Sequence, residues 1–173
     1  MPTASRIDEV RNDLTDLAEA VANAHELMQA MVKMLHERML KYNWVGFYML
    51  EPGASPPMLV LDAFEGATTP HTRIPLNQGI CGAAASSGQT VVVDDVSRDP
   101  RYLACSLETR SEIVVPVFVH GKVVGELDID SHFAAAFTCE HQDLVQYCAK
   151  LVGEKLETAR TLNVKPGTLN HES

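Results

Sequence analysis

Cys81 and Cys105 are the residues whose surroundings best suit chemistry. Cys81 stands in Gln78-Gly79-Ile80-Cys81-Gly82, a glycine-flanked turn. Cys105 stands in Arg101-Tyr102-Leu103-Ala104-Cys105-Ser106, which reads as a polar loop. A loop thiol can meet a reactant in a way that a thiol packed in a core cannot. Further on come Glu112 and the pair Asp128-Ile129-Asp130. Asp128 and Asp130 share one face of a strand, because strand side chains alternate with period two, and Trp44 and Tyr48 share a face for the same reason. Thiols, carboxylates and an aromatic wall suggest redox chemistry on a small polar molecule. Read alone, Cys81 also suits a small packing residue at a helix start, and Trp44 and Tyr48 suit core positions. Glu112 opens an otherwise apolar strand, which favours a pocket over solvent.

Bulk properties exclude several other classes. At 173 residues the chain fits one domain with a proper core. Hydrophobic residues make up 46%, as in a globular protein and unlike a disordered one. A net charge of −9 argues against nucleic acid and against an anionic membrane as partners. No apolar run is long enough to span a bilayer, and Met1-Pro2-Thr3-Ala4-Ser5-Arg6 lacks the apolar core of a signal peptide. Four cysteines do not make a disulfide scaffold in a chain of this size. A cytoplasmic protein with reduced thiols is expected. No Cys/His spacing fits a zinc site and no glycine-rich loop fits a phosphate cradle, so neither metal nor cofactor is expected.

The elements that must position these residues are helical at both ends, with strands between. Residues 7–40 read as helix with a break near Asn23, and the stripe of Leu27, Met31, Met34 and Leu35 reads as core. Strands are expected at 43–50, 58–64 and 90–93, with a short extended piece at 73–76 and one or two helical turns at 80–87. Residues 94–110 carry no clean period and read as a long loop. Strands at 112–119 and 122–130 are joined by a tight hairpin at His120-Gly121. Thr138 suits an N-cap for a last helix with Leu144, Cys148, Leu151 and Val152 on one apolar face. His71 reads as a surface loop residue, Asp95 as the cap of a turn, and Cys139 as incidental. One domain is expected over residues 1–162, with a disordered tail at 163–173. Hairpin strands flanked by helices imply an α+β fold with a largely antiparallel sheet.

Several segments in order carry a family resemblance: Asn43-Trp44-Val45-Gly46-Phe47-Tyr48, Arg73-Ile74-Pro75, Gly79-Ile80-Cys81-Gly82, Ala104-Cys105, Ser111-Glu112-Ile113-Val114-Val115-Pro116 and Gly125-Glu126-Leu127-Asp128-Ile129-Asp130-Ser131. The series resembles the free methionine-(R)-sulfoxide reductases, which are single GAF domains. The resemblance implies a GAF-like, six-stranded antiparallel sheet with the N- and C-terminal helices packed on one face and a loop-roofed pocket on the other. It implies thiol-dependent reduction of free methionine sulfoxide, with Cys105 attacking sulfur, Glu112, Asp128 and Asp130 as pocket carboxylates, and Trp44 against the S-methyl group. Two pocket carboxylates would suit the ammonium of a free amino acid, and crowding would let one keep a proton and act as an acid. The family's usual resolving cysteine, ten residues before Cys81, is replaced by His71. The resemblance therefore implies Cys81 as the thiol that resolves Cys105, and thioredoxin as electron donor. It leaves room for a homodimer. The alternative reading is a stand-alone GAF module that binds a small molecule and signals.

Overall fold

Asn23 divides the N-terminal apolar stripe into two helices. The computed structural model describes residues 5–103 and 106–163, and within it α1 spans Arg6–Ala20 and α2 spans Ala24–Arg38. The Asn23 side chain accepts the Glu26 backbone N–H at 2.9 Å, which ends one helix and caps the next. Ser5 caps α1 reciprocally with Asp8. Val10 and Leu14 on α1, and Leu27, Met31 and Leu35 on α2, are buried, so the Met-bearing stripe is core as expected.

The strands follow: β1 Trp44–Leu50, β2 Met58–Glu65, β3 Arg73–Pro75, β4 Val91–Val93, β5 Ser111–Val119 and β6 Lys122–Ser131. They form one six-stranded sheet in the order β3-β2-β1-β6-β5-β4, every neighbouring pair antiparallel. β5 and β6 join through His120 and Gly121, both at positive φ (49° and 75°), the backbone a two-residue hairpin turn requires. α3 (Gly79–Ser87) precedes β4, and α4 (Cys139–Asn163) closes the described chain. Residues 164–173, where a tail is expected, lie outside the described residues.

Period-two alternation gives each strand two apolar jobs. Val45, Phe47, Ile113, Val115, Leu127 and Ile129 point to one face and pack against α1, α2 and α4, where Leu144, Cys148 and Val152 complete the core. Full burial of one such aliphatic side chain contributes about 1.5–3 kcal/mol. Trp44, Tyr48 and Val114 point to the other face, where Ile80, Cys81 and Ala84 of α3 cover them. Three helices therefore hold one side of the sheet, and α3 with its loops holds the other. Cys148 is buried in the first core and Cys139 is exposed.

The described parts of the segment 94–110, residues 94–103 and 106–110, hold more regular structure than the sequence suggests. A single 3-10 turn runs over Val96–Arg98, with Asp95 accepting the Ser97 N–H at 3.0 Å, so Asp95 caps a turn as expected. Backbone bonds from Val96 to Arg110 and from Arg110 to Ser131 tie the segment to the sheet. No helix among the described residues is long and apolar enough to cross a membrane.

Candidate active site

Strand β6 lays a row of acids under α3. Glu126, Asp128 and Asp130 alternate with Leu127 and Ile129, so all three carboxyls take the face opposite the three-helix core. Asp130 lies opposite Trp44 on β1 and Glu112 on β5, Asp128 opposite Gly46 and Val114, and Glu126 opposite Tyr48 and Pro116. Glu112, Glu126, Asp128 and Asp130 are all buried. Burial disfavours the charged carboxylate. It raises the Asp128 pKa to about 6, partly offset by hydrogen bonds to Glu112 and Cys81. Burial, then the charge of Asp128, pushes Asp130 well above the usual carboxylate range, and burial does the same to Glu126. Glu112 and Asp128 bring one oxygen each within 4.8 Å of one another, a crowding that favours one of the two carboxyls keeping a proton.

Cys81 enters this group from the first turn of α3. As the sequence suggests, a glycine turn leads into a short helix there: Gly79 takes φ +71°, the helix starts at once, and Cys81 is buried. A side chain on Gly79 would run into Leu103, at 2.8 Å, and would strain the backbone as well. The Cys81 Sγ donates to Asp128 Oδ2 at 3.4 Å. Burial, then the charges of Asp128, Glu126 and Glu112, push the thiol pKa well above its usual value. Cys81 is thus a held thiol with an acceptor in contact, and Asp128 is the group placed to take its proton.

The aromatic wall lies across β1. The Trp44 ring stacks on Phe64 at 5.8 Å between centroids and sits 6.2 Å from the Tyr48 ring. Its Nε1–H donates to the Ala67 carbonyl at 3.0 Å. The indole folds flat over Gly46, where any Cβ would stand 2.3 Å from the ring. Trp44 and Asp130 line a cavity of about 480 Å³ with Thr109, Gly66, His36 and His132. That size is in the range of small-ligand sites. Beside it, Tyr48, His71, Cys81, Leu103, Glu112 and Asp128 line a much smaller cavity of about 20 Å³.

Trp44, Tyr48, Cys81, Glu112, Asp128 and Asp130 therefore meet on one side of the sheet. Cys105 lies outside the described residues. His71 departs from the surface position expected of it. It is half-buried, its carbonyl accepts the Tyr48 hydroxyl at 2.6 Å, and it borders the small cavity. The Tyr48 hydroxyl thus ties the backbone of this loop to the sheet. Glu126 is a site residue that pattern reading passes over. Its phase matches that of Asp128 and Asp130, and that phase was its signal.

Comparison with known proteins gives the family. Residues 23–156 match the GAF domain family. The chain belongs to it. Within this GAF family, the free methionine-R-sulfoxide reductase of Escherichia coli (strain K12) is 40% identical over 119 residues, covering 68% of this chain and 69% of that protein. Among solved structures, a type II free methionine-R-sulfoxide reductase from Thermoplasma acidophilum is 42% identical, with a TM-score of 0.72 and coverage of 83% of this chain and 96% of that one. The Neisseria meningitidis free methionine-R-sulfoxide reductase, solved with its substrate, is 32% identical, with a TM-score of 0.84 over 94% of this chain and 96% of that one. The six-stranded antiparallel sheet expected from the sequence is the GAF sheet seen here.

Proposed function

We propose that this GAF domain reduces free methionine-(R)-sulfoxide with thiols. The observation that carries the reading is a held thiol and two buried carboxyls beside an aromatic wall on one side of the sheet, in a chain 40% identical to a reductase of that name. Substrate enters the larger cavity, its S-methyl against Trp44 and its ammonium toward Asp130, with Asp128 adding negative charge behind. The Cys105 thiolate attacks sulfur. The proton kept by the Glu112–Asp128 pair goes to the sulfoxide oxygen. Methionine leaves, and the oxygen stays on Cys105 as a sulfenic acid. Cys81 passes its proton to Asp128 and attacks Cys105, so that a disulfide forms and water departs. A dithiol protein of the thioredoxin class restores both thiols by two electrons and two protons.

The test is an assay of pure protein with dithiothreitol and racemic free methionine sulfoxide, each epimer followed by chromatography. The R epimer should disappear as methionine accumulates, and the S epimer should persist. Absence of product, with every thiol unchanged on a mass map, would return the chain to the sensing reading.

A further inference from the structure

The larger cavity is lined by groups of both signs. Among the described residues that line it, only His36 and His132 can carry a positive charge. The His36 Nδ1 is taken up by the Tyr42 carbonyl, 3.0 Å away. His132 is placed differently. It follows the last residue of β6, and its backbone N–H donates to the Asn43 side-chain oxygen at 2.8 Å, which holds it beside the start of β1. Its Nε2 faces a carboxylate that lines the same cavity, Glu108 Oε2 at 3.6 Å. The reductase reading, on which this inference rests, gives the substrate ammonium to Asp130 and leaves the α-carboxylate without a partner. We propose that His132 binds that carboxylate, and that Glu108 holds the place until substrate displaces it.

Spacing supports the assignment. His132 continues the phase of Asp128 and Asp130, and residues two apart along a strand stand about 7 Å apart. In the head of a free amino acid the nitrogen and a carboxylate oxygen are about 3 Å apart. A charge-assisted hydrogen bond of about 2.8 Å at each end lets that head bridge partners at this spacing. The two ends also differ as the two charges require. Asp130 is buried, and its Oδ1 has no hydrogen-bond partner, so that end calls for a donor. His132 supplies an N–H at the other end.

The Glu108 contact is built to exchange. At 3.6 Å it is longer than a hydrogen bond, and the side chains are 40% exposed for His132 and 75% for Glu108. An exposed pair of this kind is weak. A substrate carboxylate, carried in by the ammonium at Asp130, takes over the imidazole because the two charges bind as one molecule. A neutral amide in its place has no charge with which to compete. Selection for a free carboxyl therefore falls to His132, and selection for a free amine to Asp130.

The test uses the full chain with Cys105→Ser, which binds ligand without consuming it, and reads the fluorescence of Trp44, the single tryptophan. Two ligands are compared in mildly acidic buffer, where both keep their ammonium: free methionine sulfoxide and its carboxamide. The free acid should bind roughly tenfold more tightly than the amide. His132→Ala should remove that preference by weakening the acid alone, while unchanged binding of the amide shows that the variant folds. His132→Lys should keep the preference. Glu108→Ala should tighten the acid about threefold, and should have no effect once His132→Ala is also present. Equal affinity for acid and amide, or a preference that survives His132→Ala, overturns the carboxylate assignment and leaves the reductase reading standing. A fluorescence response to neither compound overturns the pocket itself, and this inference with it.

Discussion

Glu126 is wholly buried with only the Cys81 thiol beside its carboxyl, so it is a standing cost to the fold. Replacing a buried unsatisfied polar group by an apolar one of similar shape removes about 1–3 kcal/mol of such cost. Glu126→Met should therefore raise the free energy of unfolding by that order in denaturant titrations, and a loss of stability would show that the carboxyl is satisfied. The two thiols give a second prediction at this scale. Cys105→Ser should abolish reduction. Cys81→Ser should complete the first step and leave a sulfenic acid on Cys105 that a sulfenate-trapping reagent labels, and product formed with both thiols still free would rule out this pairing. Asp128 and Asp130 were legible because period two fixes the side of a strand. The depth of Glu126 was not, because alternation tells which face a residue takes and nothing about what covers that face. The helical turns around Cys81 were legible in residues 80–87; that its thiol meets the acids of β6 was not, because that contact depends on how α3 lies across the sheet.

Strand β1 owes the flat lie of its tryptophan to one missing side chain. Gly46→Ala would place a methyl group 2.3 Å from the Trp44 ring, so the indole must turn out. Trp44 is the single tryptophan of the chain, so its fluorescence reports this directly. A shifted emission spectrum with weaker substrate affinity is expected, and an unchanged spectrum would show that the wall can yield. Helix α4 carries a pH-dependent contact. The Tyr42 hydroxyl and His141 Nδ1 are 2.7 Å apart. Burial, then the Lys41 charge, lowers the His141 pKa below its ordinary 6.5. The unfolded chain therefore takes this proton first. His141 stabilises the fold fully above pH ~6.5, and that contribution is lost as pH falls through the lower folded value. Unfolding experiments at pH 7.5 and 5.5 should show a decline on acidification that His141→Gln reduces; an equal decline in the variant would assign it elsewhere. The elements themselves were largely legible. Asn23 marked the helix break, and His120-Gly121 marked the hairpin. The 3-10 turn at Val96–Arg98 was not, since three residues are too few to show a period.

At the scale of the molecule, the sheet is covered on both faces, and the larger cavity lies where the loops after β2 and before β5 meet the ends of β1 and β6. A ligand there is enclosed on several sides. Free methionine sulfoxide should therefore be turned over, while the same group within a peptide, which lacks the ammonium and brings chain on both sides, should not. Equal rates on free and N-blocked methionine sulfoxide would overturn this. The antiparallel sheet with helices on one face was readable from strand spacing and the ordered motifs; the covering of the second face by α3 was not, because that helix is short and rich in alanine. The strand order has a further consequence. Strands of 7, 8, 9 and 10 residues occupy the interior of the sheet, and both edges are strands of only three residues, one ending in Pro75. A three-residue edge offers little backbone for a neighbouring chain to zip onto, and a net charge of −9 keeps copies apart. The fold is thus guarded against growing sideways into fibres, and association between copies is left to its helices and loops.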